Sequence, residues 1–356
     1  MTETAAKLSL LRALIAERGL AGIVLTRPAT VAWLTGGTTN VIDRSAPADA
    51  MWIAVGPETG ACISTVVEEP RLRAEHDLPF EVVGVPWQDP DAYRRAADLV
   101  VGSGAPDDDA LDDELTALRL ALVPEERDRL LALGADATAA VEDAVRAWRP
   151  GATDREVMAG VAAGCERAGI VPVCLIVGGD GRLERFRHPL ADGSAMHRQT
   201  MAVLVGMRHG LHVALTRHAS AGAPGTTLRA SRAEALRLEA AVLDACCVAG
   251  ATYGDVLARL AAAYGDGRWK EHWQGGPIGY RQREFEIAPA PPEFRWHREP
   301  VAPHHAIAFN PSVAGGGKAE DTFLVGAGHL QPVTASADWP VVEVGGRSRP
   351  AILEIR

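Results

Sequence analysis

Lysine is nearly missing from this 356-residue chain: it stands at positions 7, 270 and 318, and the other basic residues are arginines. Such a bias reflects the base composition of a genome more than a function. No cluster of five or more basic residues occurs, and the formal net charge is −10. Both facts argue against nucleic acid or an anionic membrane as partner. Cys62, Cys165, Cys174, Cys246 and Cys247 are odd in number and lack C-x-x-C spacing. They read as buried, reduced thiols in a cytoplasmic protein. No stretch of eighteen uncharged apolar residues is present, so no membrane span is expected. Near the N-terminus Leu8, Leu11 and Ile15 stand at helical spacing among charges, which predicts an amphipathic helix in place of a signal peptide.

What is present suits a folded chain of two domains, with 47% hydrophobic and 23% charged residues. Residues 1–118 alternate helical stretches with short apolar runs, "AGIVLT", "MWIAVG" and "FEVVGVPW", a pattern that predicts an α/β domain. The acidic, turn-rich "GSGAPDDDALDDE" reads as a link, and a long helical pattern then opens a second domain over 119–356. That domain repeats itself. "GATDREVMAGVAA" at 151 and "GATYGDVLARLAA" at 250 match in type, with Thr153–Glu156 and Thr252–Asp255 placed as capping boxes. Strand-like runs follow at 172, 200, 305 and 320, with the alternation of Val203, Val205 and Met207 predicting helices on a largely antiparallel sheet.

The ordered motifs "GIVLTRPATVAWLTG", "GATDREV", "RHP", "GLHVALTRHASAG", "HWQGGPIGY" and "NPSVAGGGKAEDTFLV" carry a resemblance over most of the chain. Together they resemble the creatinase, aminopeptidase P and methionine aminopeptidase family. The resemblance implies a creatinase-like α/β N-terminal domain and an α+β pita-bread C-terminal domain with a pseudo-twofold internal repeat. The family's metallopeptidases hold two metal ions with two Asp, one His and two Glu. Carried over by position, those ligands fall on Val203, Ala214, Gly276, Asn310 and Glu320, and only Glu320 can act as an anionic donor. Hydrocarbon side chains cannot replace a cation's hydration, and one carboxylate cannot hold two ions. The expectation is a member deficient in metal ligands, with no metal and no cofactor.

The resemblance places His188, in "ERFRHPL", as an acid/base, a role creatinase fills without metal. Imidazole suits it, since an ordinary pKa near 6.5 allows it both to take and to give a proton. His188 could instead simply cap the turn before Pro189. His272 is expected beside the substrate carbonyl as an oxyanion donor, or as a core histidine. Gln274 and Asn310 are candidates to orient substrate or water. Glu320 should pair with a cation such as Arg217 or Arg283, or bind a cationic group of the substrate. Arg187 and Arg217 could grip a substrate carboxylate through their planar forks, or form ordinary salt bridges. His209 and His212 are expected on opposite faces of one strand, and of the adjacent His304 and His305 only one could reach a pocket. "PEFRWHREP" at 292 is loop-like and could serve as a lid.

Three functions are open on these residues. The first is a metal-independent, creatinase-like enzyme acting on a small polar amide, amidine or guanidino metabolite with a carboxylate. It would work by C–N hydrolysis, elimination or isomerisation through His188 and His272. The second is an inactive pita-bread module that binds peptide or protein. The third is a peptidase using one metal ion through His188, His272 and Glu320, a three-ligand set suited to zinc. A small-molecule substrate and a homodimer are the partners expected.

Overall fold

Thr2 opens the first helix, α1 (Glu3–Arg18): its hydroxyl accepts from the Ala5 N–H at 3.3 Å, and Gly19 closes the helix in the left-handed region at φ 62°. The computed structural model describes residues 2–265, 267–272, 274–288 and 294–356. One compact unit takes in the chain up to Glu126 together with His209–Leu211; the other holds Arg127–Arg208 and His212–Arg356.

In the first unit α1 is followed by β1 (Ile23–Leu25), α2 (Pro28–Leu34), β2 (Met51–Val55), β3 (Gly60–Thr65), α3 (Glu69–Glu75), β4 (Val82–Val85), α4 (Ala92–Val101) and α5 (Asp112–Leu120). The four strands form a sheet in the order β1-β2-β3-β4, antiparallel except for the parallel pair β3–β4. Strand β3 escaped the sequence reading because Gly60, Ala61 and Ser64 dilute the strand signal of Ile63 and Thr65. The acidic stretch is no linker. Asp108 is buried and accepts from the Thr26 and Arg27 backbone N–H groups, and the Pro106 carbonyl accepts from Val24 N–H at 2.9 Å. Lys7, likewise buried, ion-pairs with Glu3 and Glu126 at 2.5 Å each and donates to the Trp33 carbonyl. These ties carry the first unit past residue 118, to Glu126.

The second unit contains most of α6 (Pro124–Ala147), then α7 (Asp154–Arg167), β5 (Val171–Gly179), α8 (Asp180–Arg185), β6 (Gln199–Arg208), β7 (Leu211–Ala221), α9 (Thr226–Cys246), α10 (Tyr253–Tyr264) and β8 (Gly275–Pro277). It continues with β9 (Ala306–Phe309), β10 (Ser312–Val313), β11 (Gly317–Lys318), β12 (Asp321–Val325), β13 (Leu330–Pro332), β14 (Val341–Val344), β15 (Arg347–Pro350) and β16 (Leu353–Ile355). Two four-stranded sheets result, β16-β7-β6-β5 and β13-β12-β9-β8. The run at 200 is a hairpin: His209 at φ 54° and Gly210 at φ 77° turn the chain between β6 and β7.

The internal repeat is physical. Both capping boxes form, Thr153 with Glu156 and Thr252 with Asp255. The residue before each Thr accepts from a later strand-like residue, Ala152 from Met196 N–H at 2.9 Å and Ala251 from Val301 N–H at 2.8 Å. Two halves built alike thus start their second helix from the same joint. Thr153→Ala and Thr252→Ala should each lower unfolding free energy by about 1 kcal/mol, the usual worth of an N-cap. Denaturant melts that leave the midpoint unmoved would deny the caps that role.

Candidate active site

The hairpin of β10 and β11 brings the site's residues together. Ser312 faces Lys318 across it, and the turn between them passes through Gly315 and Gly316 at φ 96° and 95°. Gly317 admits no side chain, since a Cβ there would sit 2.1 Å from the Ser231 carbonyl oxygen on α9. The glycine run therefore lets the hairpin lie against α9 and fixes Lys318. On one side lies a cavity of about 340 Å³, lined by Cys174, Ile176, His188, Val203, Arg283, Glu286, Asn310, Lys318 and Glu320 among others. A second cavity, of about 220 Å³, is lined by Arg187, His272, Ser312 and again Lys318.

Glu320, buried just before β12, is the centre of a polar cluster. One carboxylate oxygen accepts from Asn310 Nδ2 at 3.1 Å and Arg283 Nη2 at 3.0 Å; the other accepts from Thr216 Oγ1 and lies 3.3 Å from Lys318 Nζ. Burial alone would raise its pKa, but Lys318 and Arg283 outweigh that and hold it below the ordinary carboxylate value. Asn310 is in turn held by Arg187, which donates to its carbonyl and side-chain oxygens at 3.2 and 3.0 Å and also to Ser312 Oγ. The expected partner Arg283 is therefore confirmed by position, while Arg217 is not.

Two titratable groups on the larger cavity are displaced in instructive ways. His188 is exposed on one side and packed on the other, and among the described residues its ring has no hydrogen-bond partner. Partial burial, with Lys318 and Arg187 nearby, pushes its pKa down to about 4. At neutral pH it is a free, uncharged base. Glu286, a residue the sequence reading did not single out, is raised by burial although it accepts the Gly275 N–H at 3.0 Å.

His272 belongs elsewhere. It lines the smaller cavity, stacks on Tyr264 with centroids 5.6 Å apart, and shares a 2.7 Å hydrogen bond with Ser312 Oγ. Burial and Arg187 lower its pKa. Gln274 is buried and donates to the carbonyls of Trp269 and His272, so it holds the loop instead of facing substrate. Arg187 has its fork turned to Asn310 and Ser312. Arg217 lines neither cavity: fully buried, it pairs with Glu142 at 2.8 Å and Asp321 at 2.9 Å. Its position one residue after Thr216 turns it to the far side of β7. Three further histidines are occupied too. His212 is buried with Nδ1 3.1 Å from the Gly279 carbonyl oxygen, His305 meets the Tyr253 hydroxyl at 3.1 Å, and His304 meets Arg127 at 2.6 Å. In the segment expected as a lid, Pro292 and Glu293 lie outside the described residues; Trp296 is buried and stacks on Phe285. Lys318 was overlooked because a lysine between a glycine turn and a strand carries no periodic signal.

The carried-over metal positions do not fit a dinuclear metal centre. Val203 and Ala214 present hydrocarbon on β6 and β7. A Cβ at Gly276 would fall 2.4 Å from the Phe285 carbonyl oxygen, so that position cannot accept a histidine without moving backbone. The Asn310 amide nitrogen faces Glu320 as a donor, and Glu320 is already occupied by four groups. Among the described residues no group of three or more His, Cys, Asp or Glu could hold a metal ion. His188, His272 and Glu320 do not converge on one, which corrects the single-ion expectation.

By its fold the chain is a pita-bread protein with a creatinase-type N-terminal domain. It is similar along nearly its whole length to solved peptidases. The dipeptidase PepE from Mycobacterium ulcerans is 20% identical, with a TM-score of 0.72 over 99% of this chain and 97% of that one. The Xaa-Pro dipeptidase from Bacillus anthracis is 18% identical, with a TM-score of 0.71 over 99% and 100%. An X-Pro aminopeptidase from Thermotoga maritima is 16% identical, with a TM-score of 0.73 over 98% and 99%. No family model matches the sequence, and no curated protein matches it. Among the described residues no helix is long and apolar enough to cross a membrane.

Arg217→Met should destabilise the protein by roughly 3–5 kcal/mol, because it strands Glu142 and Asp321 without their shared cation. A variant with native stability but weakened ligand binding would return Arg217 to the site.

Proposed function

We propose that the protein is a metal-independent enzyme whose acid/base is His188, acting on a small polar metabolite in the larger cavity. The observation that carries this reading is an uncharged imidazole with no hydrogen-bond partner among the described residues, facing the cavity that also contains Val203, Asn310 and Glu320. Where the solved peptidases of this fold are named for Xaa-Pro cleavage, this cavity offers a base and fixed charges. The substrate class is a carboxylate-bearing amide, amidine or guanidino compound. His188 takes a proton from water or from a C–H bond and returns it to the departing nitrogen. Delivered to the departing nitrogen, the proton completes C–N hydrolysis or elimination; for an isomerisation the same imidazole returns it to a carbon and no nitrogen leaves. Asn310 is held at both ends of its amide, by Arg187 and Glu320, and so sets the shape of the cavity wall. His272 acts on the smaller cavity, apart from this step. A cytoplasmic homodimer completes the proposal; Ile42, Val66, Val67 and Trp87 are apolar side chains of the first unit left exposed in the single chain.

A screen of small amides, amidines and guanidino acids by mass spectrometry should find a substrate. His188→Gln should then lose about 10²–10⁴-fold in turnover. Because the neutral ring is the active form, the rate should stay level through neutral pH and fall as pH drops through about 4. A rate that titrates near 6.5 would instead indicate an unperturbed histidine, and a His188→Gln enzyme of near-native turnover would remove His188 from the chemistry. Light scattering at micromolar concentration should report a dimer; a monomer would contradict that part.

A further inference from the structure

We infer that Lys318, with Arg283 beside it, is the anion-binding centre of the His188 cavity and holds a carboxylate of the substrate. The inference rests on reading that cavity as a substrate site, and it names the charge that stands where the fold's metal ligands would otherwise gather. Three of the five carried-over ligand positions, Val203, Asn310 and Glu320, line the same cavity as Lys318 and Arg283.

Lys318 is a buried ammonium, and such a charge needs close partners. Among the described residues its Nζ has one anionic neighbour, Glu320 Oε2 at 3.3 Å, which is long for a charge-assisted bond. Three N–H donors on one ammonium leave at least two unmet by that contact. Glu320 is itself divided, since Arg283, Asn310 and Thr216 also donate to it. Arg283 has a second gap: among the described residues its buried Nε makes no hydrogen bond, and Glu286 Oε1 lies 3.7 Å from it. The charged residues lining the cavity, Arg283 and Lys318 against Glu286 and Glu320, balance when both carboxylates are ionised, so the opening for an anion lies in the unmet donors of Lys318 and Arg283. A ligand carboxylate would accept from those donors.

The rest of the cavity sets the ligand's other end. Leu175, Ile176, Leu190, Val203 and Val205 form an apolar wall, which suits a short hydrocarbon segment. The anion site is preorganised, because Lys318 stands on a hairpin packed on α9 and its carbonyl accepts from the buried Arg232.

The test uses butyrate, with butyramide as a neutral molecule of the same shape, titrated into the full-length wild-type protein by ligand-observed NMR. Butyrate should bind saturably, and butyramide more weakly by on the order of 10- to 100-fold, the worth of hydrogen bonds to a charged group. Lys318→Met should erase the preference, and Arg283→Met should reduce it, each checked for native folding by circular dichroism. Equal binding of the two probes, or no butyrate binding to folded wild type, overturns the inference without reference to any variant. Because the readout needs no turnover, it separates the two claims. Butyrate binding that depends on Lys318 in a protein without enzymatic activity leaves this inference standing and fells the catalytic one; turnover through His188 without butyrate binding does the reverse.

Discussion

A carboxylate buried as fully as Glu320 must find its counter-charge within a few ångströms or give up its own charge. In metallopeptidases that resemble this chain, metal ions would fill that need. Here it is met from within, by Lys318 at 3.3 Å and Arg283 at 3.0 Å, with Asn310 and Thr216 completing the shell. Much of the site follows from that pairing. Lys318 must be carried to Glu320 on a tight hairpin, hence the glycine run. Asn310 must turn its amide nitrogen to Glu320, hence the grip of Arg187 on its oxygen. Partial burial, helped by Lys318 and Arg187, holds His188 neutral, so Lys318 links the charge arrangement to the base.

Strand alternation separates this unit from the core. Glu320 faces the cavity while its neighbour Asp321 faces away, where it is shared by Arg217 at 2.9 Å and Arg349 at 2.8 Å. Arg349 also pairs with Glu239 on α9, and Arg217 with Glu142 on α6. Two adjacent acidic residues thus serve different ends: one balances the cavity, and the other ties helices from both halves of the repeat to β12. Arg217 belongs with Asp321 to the core and Lys318 with Glu320 to the cavity, although both contact the "ED" pair.

The fold was largely legible because its signals are local. Capping boxes at Thr153 and Thr252 announce themselves in four residues, and the motif order carried the pita-bread resemblance across the chain. Of the residues lining the larger cavity, the sequence reading named His188, Asn310 and Glu320 from motifs and Arg283 as a possible partner of Glu320. Lys318 and Glu286 escaped it because they come from a hairpin and a loop whose meeting depends on long-range packing. Arg217 misled because a motif position says nothing about which side of a strand reaches the cavity, and His272 because a shared motif does not guarantee a shared cavity. The acidic run at 107–109 read as a link since burial of Asp108 is set by β1 and α2, some eighty residues earlier.

The central claim is that fixed protein cations occupy the electrostatic role that metal ions fill in similar folds. Elemental analysis of protein produced in medium supplemented with manganese, cobalt and zinc tests it most directly, read beside the folding and activity of the same sample. The account predicts no stoichiometric divalent metal and no change on chelation. Two metal ions per chain, lost together with activity when a chelator is added, would contradict it.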